Sequence, residues 1–524
     1  MEKVTGISKD DLHVFEVACQ PVAADSSLPG SKMKLPFALL STHVQHILHR
    51  DPEYFKVRIL DRAPDIAAAD FLKSREYVNH AFVQDCWLRG ETVIPVGLYS
   101  DGVSVCADPH ADSLYVIYLH FLHLPLHQGG RPESKFVFTV YRKSEATAET
   151  LQDIWRVLLW DLQALSAGRK PVRGQERLPL EEQDAGDHIG GNWGRWNRIL
   201  LMQVKGDWAW YAEALGVWQW NAKGHMCPFC GAHGSGVLSW KDFSFDAPWR
   251  STCRTHGCFL EALEQSKRNN FSNSSECAFK YEPLLCSAPG FRWTMVKLDW
   301  MHAADLGVLV YVIGEVWWSL LVHLAGGGAR SQAVLRERGL VQLRIRLRQF
   351  YVLRKISNRL PLKRLTLRKI KVKGTAKLKA KAAQAKELLP FTITLANEFR
   401  DRDGAVGERR CHMLLELEAM YNLASQHQVT HQDLMDWRAN AAMFMYHYVS
   451  CGYKVYPKFH YLLHIPEQVE QSGALRSFWV YAEESKNSQL KQLFSICSKG
   501  HGLHQQMLLR MLWWHALLNH VPLP

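Results

Sequence analysis

Between Val93 and Gly216 the hydrophobic period changes several times, and the order of those changes constrains the fold more than any other feature of the chain. "VIPVGLYSDGVSV", "DSLYVIYLHFLHL" and "KFVFTVYRK" are short runs of β-branched and aromatic residues separated by turn-like residues, which reads as three successive strands. "AETLQDIWRVLLWDLQAL", at about 148–166, switches to helical spacing. After a polar, Gly-rich loop from Ser166 to Gly194, "RWNRILLMQVKGD" reads as a fourth strand ending at Gly206-Asp207, and "WAWYAEALG" opens another helix.

Three strands, a helix, a strand and a helix is the opening order of a ribonuclease-H-like domain. The expected class is therefore α/β (α+β): an RNase-H-like mixed sheet flanked by helices, with the first and fourth strands side by side. A Cys/His-rich loop and a large α-helical insertion would interrupt it. The domains expected on this reading are a mixed N-terminal segment (1–90), the first part of the core (91–220), the Cys/His-rich insertion (221–290), a mainly helical insertion (291–455) and a C-terminal helical part returning to the core (456–524). With 524 residues, 47% of them hydrophobic, the chain can bury a large core. The opening "MEKVTGISKDDLHVFEVACQ" has no apolar core of a secretory leader. "VLVYVIGEVWWSLLVHLAG" is interrupted by Glu315 and His323 and reads as a buried helix, so no membrane contact is expected.

Asp101 interrupts an otherwise apolar strand. Asp-Gly is a common hairpin signal, so one reading is a turn. The other is a metal ligand, because on neighbouring strands Asp101 and Asp207 would meet at one sheet edge. A third acid from a late helix, Glu483 or Glu484 in "FWVYAEESKNSQ", would complete a carboxylate cluster. Phosphoryl transfer needs such a cluster: hard oxygens hold two Mg²⁺ or Mn²⁺ ions about 4 Å apart, one activating the attacking hydroxyl and one stabilising the leaving oxygen. Against this stand simpler roles: Asp207 as a helix cap, and Glu483 and Glu484 as surface acids.

Four segments carry a family resemblance: "LYSDGV", "VKGDWAWYAEALGVWQWNAKGHMCPFC", "LDWMHAADLGV" and "YPKFHYLLHIPEQVEQSGALRSFWVYAEESKNSQL", with "KLKAKAAQAKELLP" as a weaker one. In this order they resemble a transposase of the CACTA/Plavaka type, related to the Kyakuja-Dileera-Zisupton group. The resemblance implies a DDE triad of Asp101, Asp207 and Glu484. Glu484 precedes Asn487 by three residues, which fits the family's closing block better than Glu483 does. Asp299 and Asp305 lie in a matching block and compete for the second position. The implied activity is metal-dependent cleavage of DNA and joining of the freed 3′-hydroxyl to target DNA, in the nucleus. Two alternatives are a domesticated relic that only binds DNA and an RNase-H-like nuclease without strand transfer. A helical scaffold whose acids never converge is the blandest rival.

Two further features bear on metal and partners. "HMCPFC" gives Cys227 and Cys230 at C-x₂-C spacing, and "CRTHGC" gives Cys253, His256 and Cys258; four of these five would hold a structural Zn²⁺. His225 and His233 are spare candidates. Between Arg330 and Lys386, nineteen Lys or Arg face the single acid Glu337, a local charge of +18 in a chain of net charge +12. Such a concentration suits a polyanion, and Arg344, Arg346, Arg348, Lys363, Arg364, Arg368, Lys369, Lys371 and Lys373 are the expected DNA contacts. A homo-oligomer is the other expected partner.

Overall fold

The computed structural model describes residues 9, 12–19, 31–50, 70–104, 113–123, 135–172, 187–189, 193–328, 331–497 and 502–520. The chain divides into two compact units, one formed by Met1–Gln219, Arg254–Lys297 and Glu470–Pro524, the other by Trp220–Cys253 and Leu298–Val469. The division falls inside the Cys/His-rich stretch expected to be one insertion.

The first unit is a mixed α/β structure. A two-stranded antiparallel ribbon, β1 (His13–Ala18) and β2 (Lys32–Phe37), precedes the main sheet. The main sheet contains β3 (Thr92–Ser104), β4 (Ser113–Phe121), β5 (Phe136–Arg142) and β6 (Asn197–Gly206), in the spatial order β5-β4-β3-β6. β3, β4 and β5 form an antiparallel meander, while β6 pairs parallel to β3. β5 and β6 thus run the same way, which requires a crossover. The Ala148–Ser166 helix supplies it, starting at a reciprocal cap in which Thr147 Oγ1 accepts from Thr150 N–H and Thr150 Oγ1 accepts from Thr147 N–H. Its Ile154, Trp155, Leu158 and Trp160 are fully buried, and Trp155 meets Trp210 edge to face at 6.1 Å. Beyond β6 the sheet gains one parallel bridge, Val204 to Val296.

β3 does not turn at Asp101-Gly102. Asp101 pairs with Val116 and Gly102 with Tyr115, so the strand continues to Ser104 and the hairpin reading of Asp-Gly is incorrect. The connection that follows falls in 105–112, outside the described residues, as does most of the 166–194 loop.

Strand alternation gives the sheet two unlike faces. Tyr99 and Asp101 on β3, Tyr118 and His120 on β4, and Gln203 and Lys205 on β6 share one face by register. The Tyr481–Ile496 helix contributes Glu483 to this polar face, where it meets Lys205.

The second unit is mainly helical. It contains a wide π-type segment, Met301–Leu309, that runs into the Val310–Leu324 helix, followed by the helices Gln332–Leu353, Ala382–Glu398, Gly404–Ala424 and His431–Ser450. Together Met301–Leu324 are long and apolar enough to cross a membrane by length and composition, yet Val312, Ile313, Val316, Trp317 and Leu320 are packed inside this unit. Gly339 lets the Gln332–Leu353 helix approach it closely, since a Cβ there would lie 1.9 Å from the Leu321 carbonyl oxygen.

Candidate metal centres

The first unit brings two of the expected acids together. One carboxylate oxygen of Asp101 and one of Glu484 lie within 4.8 Å of each other. Tyr99 stands between them: its hydroxyl donates to Glu484 Oε1 at 2.8 Å and lies 3.3 Å from Asp101 Oδ2. Asn487, one helical turn after Glu484, donates to the same hydroxyl at 3.4 Å, and Gly102 N–H donates to Asp101 Oδ1 at 2.7 Å. Burial, reinforced by Asp101 and Glu484, holds the Tyr99 phenol well above its ordinary pKa, so it stays a donor. Both carboxylates are half-buried, as an ion-accessible pair requires.

Asp207 is placed on the neighbouring strand. Ser100 pairs with Gly206, so Asp101 and Asp207 each follow by one residue the last pair of the parallel β3–β6 ladder. Asp207 lies outside the group that closes to 4.8 Å. Its Oδ1 accepts from Trp210 N–H at 2.7 Å, capping the Trp208–Ala214 helix. Gly206 permits the sharp strand-to-helix change, because a Cβ there would lie 2.4 Å from the Trp210 ring.

Glu483 and Glu484 are adjacent in sequence and have different environments. Glu483 is fully buried and pairs with Lys205 at 2.6 Å and Lys135 at 3.1 Å. Burial works against its charge, but the two ammonium groups prevail and bring its pKa down to about 2. Desolvation in turn takes Lys135 down to about 8. This is a structural ion cluster, and it fixes the helix face on which Glu484 reaches Asp101.

Asp299 and Asp305 belong to the second unit and have internal partners. Asp299 accepts from the backbone N–H of Met301 and His302 and bonds the His302 ring at 2.5 Å, so it caps the π-type segment. Asp305 is fully buried and accepts from the Tyr421 hydroxyl at 2.6 Å.

The second unit contains a different kind of centre. Cys227, Cys230, His460 and His464 are all buried, and one ligand atom of each lies within 4.8 Å of the others. Cys227 Sγ to His464 Nε2 is 3.5 Å, Cys230 Sγ to His460 Nε2 is 3.3 Å, and the two Nε2 atoms are 3.2 Å apart. A tetrahedral zinc ion with Zn–S of about 2.3 Å and Zn–N of about 2.05 Å needs about 3.6 Å between sulfur and nitrogen and about 3.3 Å between nitrogens. These three of the six edges therefore match a zinc tetrahedron to within about 0.3 Å, and all four ligand atoms lie within 4.8 Å of one another. Ala232 N–H donates to Cys230 Sγ at 3.4 Å, as in a C-x₂-C knuckle, and the Trp249 ring closes the site against His460 at 4.4 Å. Burial pushes the Cys230 thiol up and His460 well down, so a divalent cation would take the place of protons here.

The expected zinc set is thus corrected in its second half. Cys253 lies beside His464 but outside the four-atom group. His256 and Cys258 belong to the first unit, on the His256–Arg268 helix, where His256 stacks on Phe259 and Cys258 is exposed. His225 and His233 face each other at 4.3 Å across the knuckle. His460 and His464 carry a signal that is readable in the sequence, H-x₃-H, the spacing of paired zinc histidines.

In the basic stretch, three of the nine expected contact residues have internal tasks. Arg344 donates to the Leu365 carbonyl, Arg346 pairs with Glu398, and Lys371 lies 4.7 Å over the Trp318 ring. Lys369 is half-buried. Arg348, Lys363, Arg364, Arg368 and Lys373 are exposed. Lys373 and Gly374, both at positive φ, form the two-residue turn of a hairpin that presents its charge outward.

No protein-family model matches the chain, and no curated protein matches it.

Proposed function

We propose that the chain is a transposon-derived, DDE transposase-like protein of the CACTA/Plavaka type that cleaves DNA and transfers strands with two Mg²⁺ or Mn²⁺ ions. The observation that carries this reading is the convergence of Asp101 and Glu484 on Tyr99, with Tyr99 and Glu484 coming from positions 385 residues apart. The strand order supports it as well. An antiparallel meander with the fourth strand parallel to the first is the arrangement expected of a ribonuclease-H-like core. Asp101 and Glu484 would supply hard oxygens for one ion, and Asp207, outside their 4.8 Å group, would contribute through the oxygen that its cap leaves over. The exposed cations Lys363, Arg364, Arg368 and Lys373 suit phosphate contacts that position DNA without reading its sequence. The Cys/His centre would hold zinc as a structural staple, since four protein ligands leave no position open for water.

The test is a supercoiled-plasmid assay with Mg²⁺ or Mn²⁺, with and without a 3′-hydroxyl donor duplex. Metal-dependent nicking that falls more than about 100-fold in both Asp101→Asn and Glu484→Gln is the expected result. Nicking without joined product would reduce the function to a nuclease. DNA retention without any cleavage would leave a binding relic, the reading favoured by the commitment of Asp207 Oδ1 to its cap.

A further inference from the structure

The Gln332–Leu353 helix is apolar on two opposite sides. Leu340, Leu343, Leu347 and Tyr351 form the covered side. The other side is open: Val334, Val341, Ile345 and Val352 are 45%, 49%, 45% and 66% exposed. At 100° per residue these four fall within about 20° of a single line roughly 27 Å long. A solvent-facing helix surface is normally polar, so a straight apolar stripe of five turns signals a partner.

The stripe is symmetric about Leu343. Val334 and Val352 lie nine residues to either side of it, and Val341 and Ile345 lie two. The flanks share the symmetry. Glu337 and Arg348 lie along one edge, six residues before and five after the centre, and Arg338 and Gln349 lie along the other, five before and six after. All four flanking residues are exposed. We propose that this face pairs with a second copy of the chain, antiparallel, about a two-fold axis at Leu343. Val334 then packs on Val352 of the second copy and Val341 on its Ile345. Glu337, the single acid of the basic stretch, comes opposite Arg348 of the second copy, and Arg338 comes opposite its Gln349. In a parallel pair Glu337 would instead face Arg338 of the second copy, so exchanging the charges of Glu337 and Arg348 also reads the orientation. An isologous contact of this kind closes as a dimer and does not propagate.

Sedimentation velocity on the 524-residue chain, across roughly a hundredfold concentration range, tests the proposal. The expected result is a monomer–dimer equilibrium, shifted to monomer by Ile345→Glu with helix content unchanged by circular dichroism. Glu337→Arg and Arg348→Glu should each weaken the dimer by about tenfold, and the double swap should restore it. Restoration is the decisive readout, because general stickiness or misfolding would not recover on reversing a charge pair. A wild-type chain that stays monomeric throughout overturns the proposal, as does a double swap no better than its parents. If Ile345→Glu leaves the mass unchanged but lowers DNA retention, the stripe belongs to a nucleic-acid surface and the dimer is refuted.

Discussion

The two candidate centres are built on opposite plans. At the sheet edge, half-exposed carboxylates are held by one tyrosine hydroxyl, and the pair remains open to solvent and to ions. In the helical unit, two sulfurs and two imidazole nitrogens are buried, walled by Trp249, and gathered within 4.8 Å of one another. Hard oxygens at an open edge suit an ion that exchanges and turns over, whereas soft ligands in a closed shell suit one that stays. On the proposed function, the difference separates a working site from a structural one, and it can be tested residue by residue.

The largest effect is expected at the closed centre. Cys227→Ser or His460→Ala should abolish stoichiometric zinc in metal analysis and unfold the second unit. Structural zinc contributes apparent free energies of about 10–16 kcal/mol in small domains. Asp101→Asn should leave the zinc content untouched; loss of zinc in that variant would break the distinction.

Next comes the contrast between neighbours on the Tyr481–Ile496 helix. Glu483→Gln leaves Lys135 and Lys205 buried without their counter-charge and should cost about 3–5 kcal/mol in denaturant unfolding. Glu484→Gln should cost about 1 kcal/mol or less, because its carboxylate is half-exposed. Equal losses would erase the structural difference between the two acids.

The same ion cluster sets a pH dependence. Glu483 has a folded pKa of about 2 against an ordinary value of 4.5, so its stabilisation is complete above 4.5 and is lost as pH falls through about 2. That shift corresponds to about 3 kcal/mol. Urea midpoints measured from pH 6 downward should fall less steeply in Glu483→Gln than in the wild type. Lys135 acts in the opposite sense: its pKa, lowered to about 8, makes its charge a cost at neutral pH that is relieved above 8.

The smallest effect is expected at Tyr99. Tyr99→Phe removes the donor shared by Asp101 and Glu484 and should cost about 1 kcal/mol of stability. The more telling readout is Mn²⁺ binding followed by calorimetry, where apparent affinity should change by up to about tenfold as the carboxylates lose their common partner. An unchanged affinity would show that the hydroxyl does not orient the pair.

Much of the sheet was legible because its signals are local. Strand and helix periods are set by residues two to four apart, and the 93–214 stretch contains them on either side of one polar loop. Asp101 was legible as an anomaly in such a pattern, although only its register with Val116 excluded the turn. The zinc set was legible only in half. Cys227 and Cys230 announce themselves at C-x₂-C spacing, but their partners lie some 230 positions later. Nearer thiols at Cys253 and Cys258 offered a shorter loop to close, and nothing local in "YPKFHYLLHIP" says which distant knuckle its histidines meet. Glu483 was harder still: its role depends on two lysines from separate strands, and no periodicity encodes that meeting. In the basic stretch, charge density was legible but its use was not, since Arg344, Arg346 and Lys371 are engaged within the chain by a carbonyl, a carboxylate and a ring.

The interrupted course of the first unit has a consequence for how the protein is made. Its sheet strands are synthesised before the Leu298–Val469 segment, and Glu483 and Glu484 emerge from the ribosome only after it. Until then Lys135 and Lys205 have no counter-charge and Asp101 has no neighbouring glutamate. A nascent chain, or one released by stalling within that segment, therefore holds an unfinished sheet and a single acid where the complete protein has a pair. The carboxylate centre can close only after the Leu298–Val469 segment has been translated, so the order of synthesis acts as a timer on the site.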